Sequence, residues 1–348
     1  MFIKEQMNLA VIGCGYWGKN YIRLLSQMAG VNLVAICDRD KEQLRKNKTG
    51  ILSSQSGPRL QLFTDYKKML KIPELNGVII CTNPNTHYQL AKDAIEAGKH
   101  VYMEKPMTLK GKTAKLLVNQ AKAKNLVLMV GHIFMYNAAV LQIKDYINNG
   151  QLGTIYYMYS KRTNLGPIRP DVNALWDLAP HDISIFNYLL EETPSWVSAT
   201  ATSFLRENNE DVGFVTLGYP SGKIGHIHVS WADPHKEREV VVVGSKQRVV
   251  FNDVSPNEKI RIFEKGVSTS RKTYADYGEF QLSFRDGDIV SPAIKFTEPL
   301  RAEVEHFIHC INYNATPRSD GENGFAVVQI MEAIDQSIAE HGCPVYLK

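Results

Sequence analysis

One segment near the N-terminus, Gly13-Cys14-Gly15-Tyr16-Trp17-Gly18, restricts the possible folds of this chain more than any other. It follows a short apolar run, Leu9–Ile12, and precedes an amphipathic stretch, Tyr21–Met28. Glycines between a strand and a helix permit a tight turn, a close approach of backbone to ligand, and close helix–strand packing. The helix N-terminus adds free N–H groups and partial positive charge, which suit phosphate. The segment therefore predicts a dinucleotide site. Its expected contacts are Gly13, Gly15, Tyr16, Trp17 and Gly18.

Asp38 stands 20 residues after Gly18, at the end of the second apolar run. A carboxylate there accepts hydrogen bonds from both ribose hydroxyls, and its charge repels a 2′-phosphate. This favours NAD. Arg39 follows directly and can instead bind a 2′-phosphate, so NADP stays open as the less favoured alternative.

Short apolar runs alternate with helical patterns over the first 130 residues, and nearly continuous apolar character is typical of strands covered on both faces. The amphipathic stretch Thr86–Ala97 is predicted to begin with a capping box of Thr86 and Gln89 and to stop at Gly98. The alternation predicts a doubly wound parallel sheet of the Rossmann type. The expected strands are Leu9–Ile12, Leu33–Cys37, Gly77–Cys81, Val101–Met103 and Leu126–Val130.

At 348 residues the chain has the length of two domains. We expect an α/β NAD-binding domain over 1–130 and an α+β domain for substrate binding and oligomerisation over 131–348. In the second part, β-rich stretches separated by turn residues predict a large, mostly antiparallel sheet. These stretches are Thr154–Tyr159, Phe214–Tyr219, Lys223–Trp231, Glu239–Val243, Arg248–Phe251 and Lys259–Phe263.

Composition excludes several classes of protein. The formal charge is only +4 and the cations are interspersed with acids, which argues against a nucleic-acid partner. No apolar stretch has the ~18 residues of a membrane span. Five cysteines without a CxxC spacing predict reduced thiols and a cytoplasmic protein. His226 and His228, like His306 and His309, lack an obvious third ligand, so no metal is expected.

Polar residues follow two further strands, where the carboxyl edge of a parallel sheet meets its ligand. The third strand leads into Cys81-Thr82-Asn83 and then His87, and the fourth ends in Glu104-Lys105-Pro106. A surface turn with an ion pair is the alternative for the second of these. The additional cofactor contacts expected here are Thr82, Asn83, His87, Glu104 and Lys105.

Together, the glycine turn, the Thr-Asn-Pro…His segment and Glu-Lys-Pro resemble the glucose–fructose oxidoreductase/inositol dehydrogenase/MocA (Gfo/Idh/MocA) family. The resemblance extends to the closing pattern Glu303…His306-Phe307…Pro317…Asp320-Gly321 and covers essentially the whole chain. It implies a two-domain oxidoreductase that holds NAD(P) tightly in its first domain. It also implies a second domain with an open sheet, whose exposed face a partner subunit would cover in a homodimer or homotetramer.

The segment Leu175–Asp182 looks like the family's catalytic Asp-x-x-x-His, with Asp177 and His181 in these positions. The resemblance implies that His181 takes the hydroxyl proton, Asp177 orients the ring or binds substrate, Lys105 polarises the reacting oxygen, and nicotinamide accepts the hydride. Pro180 is expected in the first turn of the helix. Many relatives carry an aspartate where this chain has Ser184. The alternative makes His181 a helix-cap histidine.

Lys161-Arg162-Thr163-Asn164 and then Arg169 are expected to follow a strand and lead into the catalytic segment, where the cations can bind a phosphate; solvated loop charges are the alternative. Three segments resemble a subgroup that oxidises the 3-hydroxyl of UDP-N-acetylhexosamines. They are Gly15–Asn20, Trp176–Asp182 and Ser230–Lys236. The expected substrate contacts are Lys105, Arg162, Asn164, Arg169, Asp177 and His181.

Three other functions remain open beside the nucleotide-sugar dehydrogenase. One is a free-sugar or polyol dehydrogenase of the inositol dehydrogenase type, and another is a glycosidase that uses bound NAD transiently. The third, a non-enzymatic NAD-sensing regulator, is disfavoured because Lys105 and His181 are both present.

Overall fold

A computed structural model describes residues 6–51, 60–207, 209–268, 283–295 and 297–347. Packing divides these residues into two compact units. The first contains the described residues up to Tyr136 together with Glu298–Glu332, and the second contains Asn137–Thr297 and the described residues from Ala333. The segment Glu298–Glu332 belongs to the first unit because it hydrogen-bonds to the last strand of that unit: Val130 N–H donates to Ser319 O at 2.8 Å. The functional division into 1–130 and 131–348 stays a prediction.

The first unit is built on a parallel sheet of six described strands, in the order β3-β2-β1-β4-β5-β6. The direction of the chain across the sheet reverses between β1 and β4, which is where such sheets bind dinucleotides. The predicted Rossmann sheet is therefore confirmed. Its elements are β1 (Met7–Ile12), α1 (Gly18–Gln27), β2 (Val31–Cys37), α2 (Lys41–Ile51), β3 (Gln61–Phe63), α3 (Tyr66–Met69), β4 (Gly77–Ile80), α4 (Pro84–Glu96), β5 (His100–Glu104), α5 (Gly111–Ala123), β6 (Leu128–Gly131) and a 3-10 turn (Ile133–Tyr136).

Helix α4 begins two residues earlier than the sequence predicts. Its N-cap is Asn83 and its first residue is Pro84, whose fixed φ and missing N–H suit that position. The predicted capping box is wrong, because Thr86 already lies inside the helix and its hydroxyl donates to Asn83 O at 2.8 Å. Gly98 does end the helix, with a φ of +73°.

The second unit contains a sheet of nine described strands, in the order β16-β13-β12-β11-β7-β10-β9-β8-β17. The pair β7–β10 is parallel and the other neighbouring pairs are antiparallel, so the predicted mostly antiparallel sheet is confirmed. Its elements are α6 (Ala138–Asn148), β7 (Ile155–Thr163), α7 (Ala174–Leu190), β8 (Trp196–Thr202), β9 (Val212–Gly218), β10 (Ile224–Ser230), β11 (Glu237–Gly244), β12 (Arg248–Asn252), β13 (Ile260–Phe263), a small hairpin of β14 (Gly266–Ser268) and β15 (Ser283–Arg285), β16 (Ile289–Val290) and, near the C-terminus, β17 (Val345–Tyr346).

Strand β7 extends four residues beyond its predicted end, to Thr163. Lys161 and Arg162 therefore belong to the strand and do not follow it. Because side chains alternate along a strand, the two cations lie on opposite faces of the sheet. Arg162 is buried, on the face that α7 packs against, whereas Lys161 is exposed.

Two helices complete the chain: α8 (Pro299–Tyr313) lies in the first unit, and α9 (Gly321–Ala339) runs from the first unit into the second. No helix in the described part of the chain has the length and apolar character that crossing a bilayer requires.

Candidate active site

The glycine turn lies between β1 and α1, as predicted. At two of its positions a side chain would collide with neighbouring atoms, so only glycine fits there. A Cβ on Gly13 would lie 2.8 Å from the carbonyl carbon of Cys81, and φ there is +94°. A Cβ on Gly18 would lie only 1.9 Å from Gly13 O, so the helix can approach the strand only without a side chain. A Cβ on Gly15 would meet no described atom within 4 Å. Open space beside the start of α1 fits a bound pyrophosphate.

Asp38 is held in place by the backbone of this turn. Its Oδ2 accepts from Cys14 N–H at 2.7 Å, and its Oδ1 accepts from Asp40 N–H at 2.9 Å. Each carboxylate oxygen retains a lone pair, so both can still accept from a ribose hydroxyl. Arg39 is exposed. The donors and acceptors present therefore fit an NAD molecule in this unit.

His87 joins the loops that follow β4 and β5. It is fully buried, and its Nδ1 and Nε2 each lie 2.9 Å from a carbonyl oxygen, of Pro106 and Thr82 respectively. Both ring nitrogens thus face the backbone, so a direct cofactor contact by His87 has no support from the structure. Thr82 and Asn83 remain predicted contacts, and Asn83 is exposed.

Lys105 follows the end of β5 and is 9% exposed. Glu104, just before it, accepts from the Tyr21 hydroxyl at 2.7 Å and from the Lys105 backbone N–H at 3.2 Å. His132, directly after the neighbouring strand β6, was not singled out from the sequence. Burial and then the positive charge of Lys105 lower the pKa of His132 to about 3, so its ring is neutral at pH 7. Its position directly after the carboxyl end of a strand was the sequence signal that could have identified it.

In the second unit, Asp177 and His181 lie one helical turn apart on α7, so they share a face. The helix begins earlier than predicted, with Asn173 Oδ1 accepting from Trp176 N–H at 2.9 Å. Pro180 consequently lies inside the helix and not in its first turn. His181 is thus a mid-helix residue, which removes the helix-cap alternative. Ser184 donates from its hydroxyl to His181 O at 2.8 Å.

Arg169 is bound by two aspartates. Its Nη1 donates to Asp177 Oδ1 at 2.9 Å, and its Nε and Nη2 donate to Asp171 at 3.0 and 2.7 Å. Its side chain remains 31% exposed. The catalytic aspartate of the sequence prediction therefore lies beside a partly accessible cation.

The Arg162 side chain is paired with a carboxylate inside the protein. It is 3% exposed, and its Nε and Nη2 donate to both oxygens of Asp182 at 3.1 and 2.7 Å. The expected contact of Arg162 with a substrate phosphate therefore has no structural support. Asn164 also has an internal partner, since its side-chain amide donates to Gly166 O.

Comparisons with known proteins identify the family. Residues 7–132 match the model of the oxidoreductase family with an NAD-binding Rossmann fold, and residues 140–250 match the GFO/IDH/MocA C-terminal domain. The chain belongs to the Gfo/Idh/MocA oxidoreductases. It is an NAD-binding sugar oxidoreductase of this type, acting on CH–OH groups.

Individual relatives of this family member are distant but match over nearly its full length. A myo-inositol 2-dehydrogenase from Thermotoga maritima is 23% identical, covering 96% of this chain and 97% of the relative. A UDP-N-acetylglucosamine 3-dehydrogenase from Acidithiobacillus ferrooxidans is 25% identical, covering 94% and 97%. Among solved structures, the WlbA dehydrogenase from Bordetella pertussis, in complex with NADH and UDP-GlcNAcA, has a TM-score of 0.78 at 21% identity, covering 99% of each chain.

Within the described ranges, no three histidine, cysteine, aspartate or glutamate side chains are close enough together to hold a metal ion.

Proposed function

We propose that this oxidoreductase acts on the C3 hydroxyl of a UDP-linked N-acetylhexosamine or a related nucleotide sugar. The observation that carries the proposal is Arg169, a partly exposed cation bonded to Asp177 on the helix of His181. A guanidinium in this position suits a diphosphate. The UDP-N-acetylglucosamine 3-dehydrogenase and the WlbA complex add support by analogy.

In the proposed reaction, NAD would supply the hydride acceptor when bound to the first unit. His181 removes the hydroxyl proton, since imidazole is the side chain suited to proton transfer near neutral pH. Asp177 orients the substrate or the ring, and Lys105 polarises the reacting oxygen. The reverse reaction reduces a ketone with His181 as the acid.

Replacing His181 tests the chemistry. His181→Ala should lower turnover by roughly 10²–10⁴-fold and leave NAD affinity nearly unchanged, because a general base acts in the transition state. NADH absorbance measures turnover, and titration with NAD measures binding. His309→Ala on α8 is the matched control and should retain turnover. Near-normal activity of His181→Ala would remove His181 from the mechanism.

Comparing a UDP-sugar with the matching free sugar tests the substrate. Arg169→Ala should raise KM for the conjugate at least about tenfold, the effect of losing one charge-assisted contact, and leave KM for the free sugar unchanged. Any kcat effect through Asp177 should be common to both substrates. Equal turnover of wild type on the two forms would eliminate the nucleotide-sugar proposal.

A free-polyol dehydrogenase is the second candidate, because the myo-inositol 2-dehydrogenase is about as similar to this chain. It would turn over inositol or an aldose with net NADH formation. A glycosidase using NAD transiently would release free sugar without accumulating NADH, and a regulator would bind NAD without turnover. The same substrate panel separates these outcomes.

We also propose that a second copy of the chain covers the open face of the nine-stranded sheet, in a homodimer or homotetramer. Large side chains are exposed on the face opposite α7, among them Tyr157 on β7, Phe214 on β9 and Ile224 on β10. Exposed apolar groups on one face are typical of an interface. Light scattering of wild type and Tyr157→Glu tests this, with a smaller mass expected for the variant. A monomeric wild type would refute it.

A further inference from the structure

Four acidic groups of the first unit lie next to one another, and all but one of them are fully buried. They are the hydroxyls of Tyr21 and Tyr102 and the carboxyls of Glu104 and Glu303, which we call the tyrosine–glutamate chain. The Tyr21 and Tyr102 hydroxyls are 2.7 Å apart, and the Tyr21 hydroxyl donates to Glu104 Oε1 at 2.7 Å. Glu303, on α8, is fully buried and neighbours the Tyr102 hydroxyl.

The positions of the protons follow from counting them. Each phenol has one proton to donate, and an ionised carboxylate can only accept. Tyr21 donates its proton to Glu104. The 2.7 Å contact between the phenols therefore requires Tyr102 to donate to Tyr21. No proton of Tyr102 is left for Glu303.

Glu303 consequently has no donor to stabilise a negative charge. Within the described residues, neither of its carboxyl oxygens has a hydrogen-bond partner at ordinary distance. An ionised carboxylate buried in this way is costly, whereas a neutral acid has no charge that needs a donor.

The titratable groups around Glu303 are all acids. They are Glu104 and Tyr102 on β5, Tyr21 on α1 and Tyr136 in the 3-10 turn. Burial first, and then the negative charge of Glu104, raise the pKa of Glu303 well above its usual range, and the Tyr102 hydroxyl only partly offsets them.

We propose that Glu303 is a neutral carboxylic acid at pH 7 and that Glu104 is the ionised end of the tyrosine–glutamate chain. In this proton order Glu303 keeps its own proton, Tyr102 donates to Tyr21, and Tyr21 donates to Glu104. This makes Glu303, Tyr102 and Tyr21 positioning residues for Glu104, whose second oxygen accepts from the Lys105 backbone N–H. That last step, toward Lys105, rests on the proposed function; the proton order does not.

Gly131 provides the space for the chain of hydroxyls. It pairs with Glu104 across β5 and β6. A Cβ on Gly131 would lie 2.9 Å from the Tyr102 hydroxyl and 3.4 Å from Glu104 Oε2. Any larger residue would therefore push against both, which is a packing reason for glycine at this strand end.

Infrared difference spectroscopy tests the neutral acid directly, since the C=O stretch of a protonated carboxyl is distinct from carboxylate bands. The full-length protein at pH 7 should show this band, Glu303→Gln should lack it, and Glu305→Gln, a partly exposed neighbour on α8, should retain it. Tyr102→Phe should shift the band, because the polar hydroxyl beside the acid is removed; this keeps the test valid if Glu303→Gln folds poorly. No band in wild type overturns the proposal.

The pH dependence of stability gives a second readout that is independent of catalysis. A carboxyl that binds its proton more tightly in the folded state makes stability fall as pH rises above its unfolded pKa. Relative to Glu303→Gln, wild type should lose about a hundredfold in its folding constant between pH 5 and 7, tenfold per unit. Urea unfolding of both measures it, with Glu305→Gln as the control. Parallel curves for wild type and Glu303→Gln would contradict a neutral Glu303.

Tyr21→Phe tests the link to Lys105. Loss of the bond to Glu104 should lower kcat more than it raises KM for NAD, and Glu303→Gln, which still has an N–H donor, should retain more turnover than Glu303→Leu. If the infrared band is present but Tyr21→Phe has wild-type kcat, the positioning role fails. If no substrate is turned over by wild type, the proposed function fails and the proton order stands.

Discussion

The two units fix their functional groups by different means. In the first unit the backbone holds these groups in place: two N–H groups donate to Asp38, and His87 lies against two carbonyl oxygens. In the second unit ion pairs between side chains hold them, namely Arg162 with Asp182 and Arg169 with Asp177. A backbone contact survives most substitutions nearby, whereas an ion pair fails when either partner is replaced. The second unit should therefore be the more sensitive to single charge changes.

The largest expected effect is that of breaking the buried ion pair of the second unit. Arg162→Met should destabilise the protein by about 3–5 kcal/mol, because Asp182 is left charged and unpaired in the interior. Urea unfolding measures this. Adding Asp182→Leu should restore much of the loss, since the buried charge is then gone. If the single variant is as stable as wild type, the second unit does not depend on this ion pair and the contrast between the two units is wrong.

In the first unit, a pair of glycine variants separates backbone packing from ligand binding. Gly18→Ala should cost about 1–3 kcal/mol of stability, because its Cβ would overlap Gly13 O. Gly15→Ala should leave stability nearly unchanged, as nothing described lies within 4 Å of the added carbon, but weaken NAD binding. Thermal unfolding and NAD titration are measured on both. Equal effects on stability would show that the space at Gly15 is not open.

Acid should destabilise the first unit through His132. Its folded pKa of about 3 lies below the unfolded value, so the unfolded chain binds more protons and stability rises with pH between these two values. The slope from this residue is about 1.4 kcal/mol per pH unit up to pH ~6.5. His132→Phe should flatten the curve below pH 6.5. An unchanged slope would mean that His132 does not titrate this way.

The smallest expected effect concerns the cofactor. Asp38→Ser should reduce the preference for NAD over NADP by about tenfold, as it removes the charge that repels a 2′-phosphate and leaves Arg39 available to it. Titration of wild type and variant with both dinucleotides decides the matter. Tighter binding of NADP than NAD by wild type would refute the role of Asp38.

Much of the first unit could be predicted from local sequence. The glycine turn, its strand and helix, and Asp38 lie within 30 residues, and each has a steric or hydrogen-bonding requirement that few residue types satisfy. The start of α4 was predicted wrongly because two signals competed: Pro84 at the first helical position outweighed the Thr86 and Gln89 pattern.

The second unit was predicted in outline only. Its sheet was recognised from alternation, but β7 continued through Lys161 and Arg162, which the sequence suggested lay beyond the strand. A run of polar residues looks the same in a loop and on a strand whose charges are paired. The partner of Arg162 is Asp182, 20 residues away on another element, and nothing local indicates it.

The sequence by itself determined the cofactor fold, the Asp177–His181 spacing and the family, because these depend on short segments with strict backbone requirements. Only the tertiary structure decided which charges are available for chemistry. Arg162 is buried in an ion pair, whereas Arg169 is partly exposed. Burial beside Lys105 holds His132 neutral, and the distant Glu303 was brought next to Tyr102 and Glu104. The reason is physical: burial and ionisation depend on neighbours in space, which residue types and spacing along the chain do not specify.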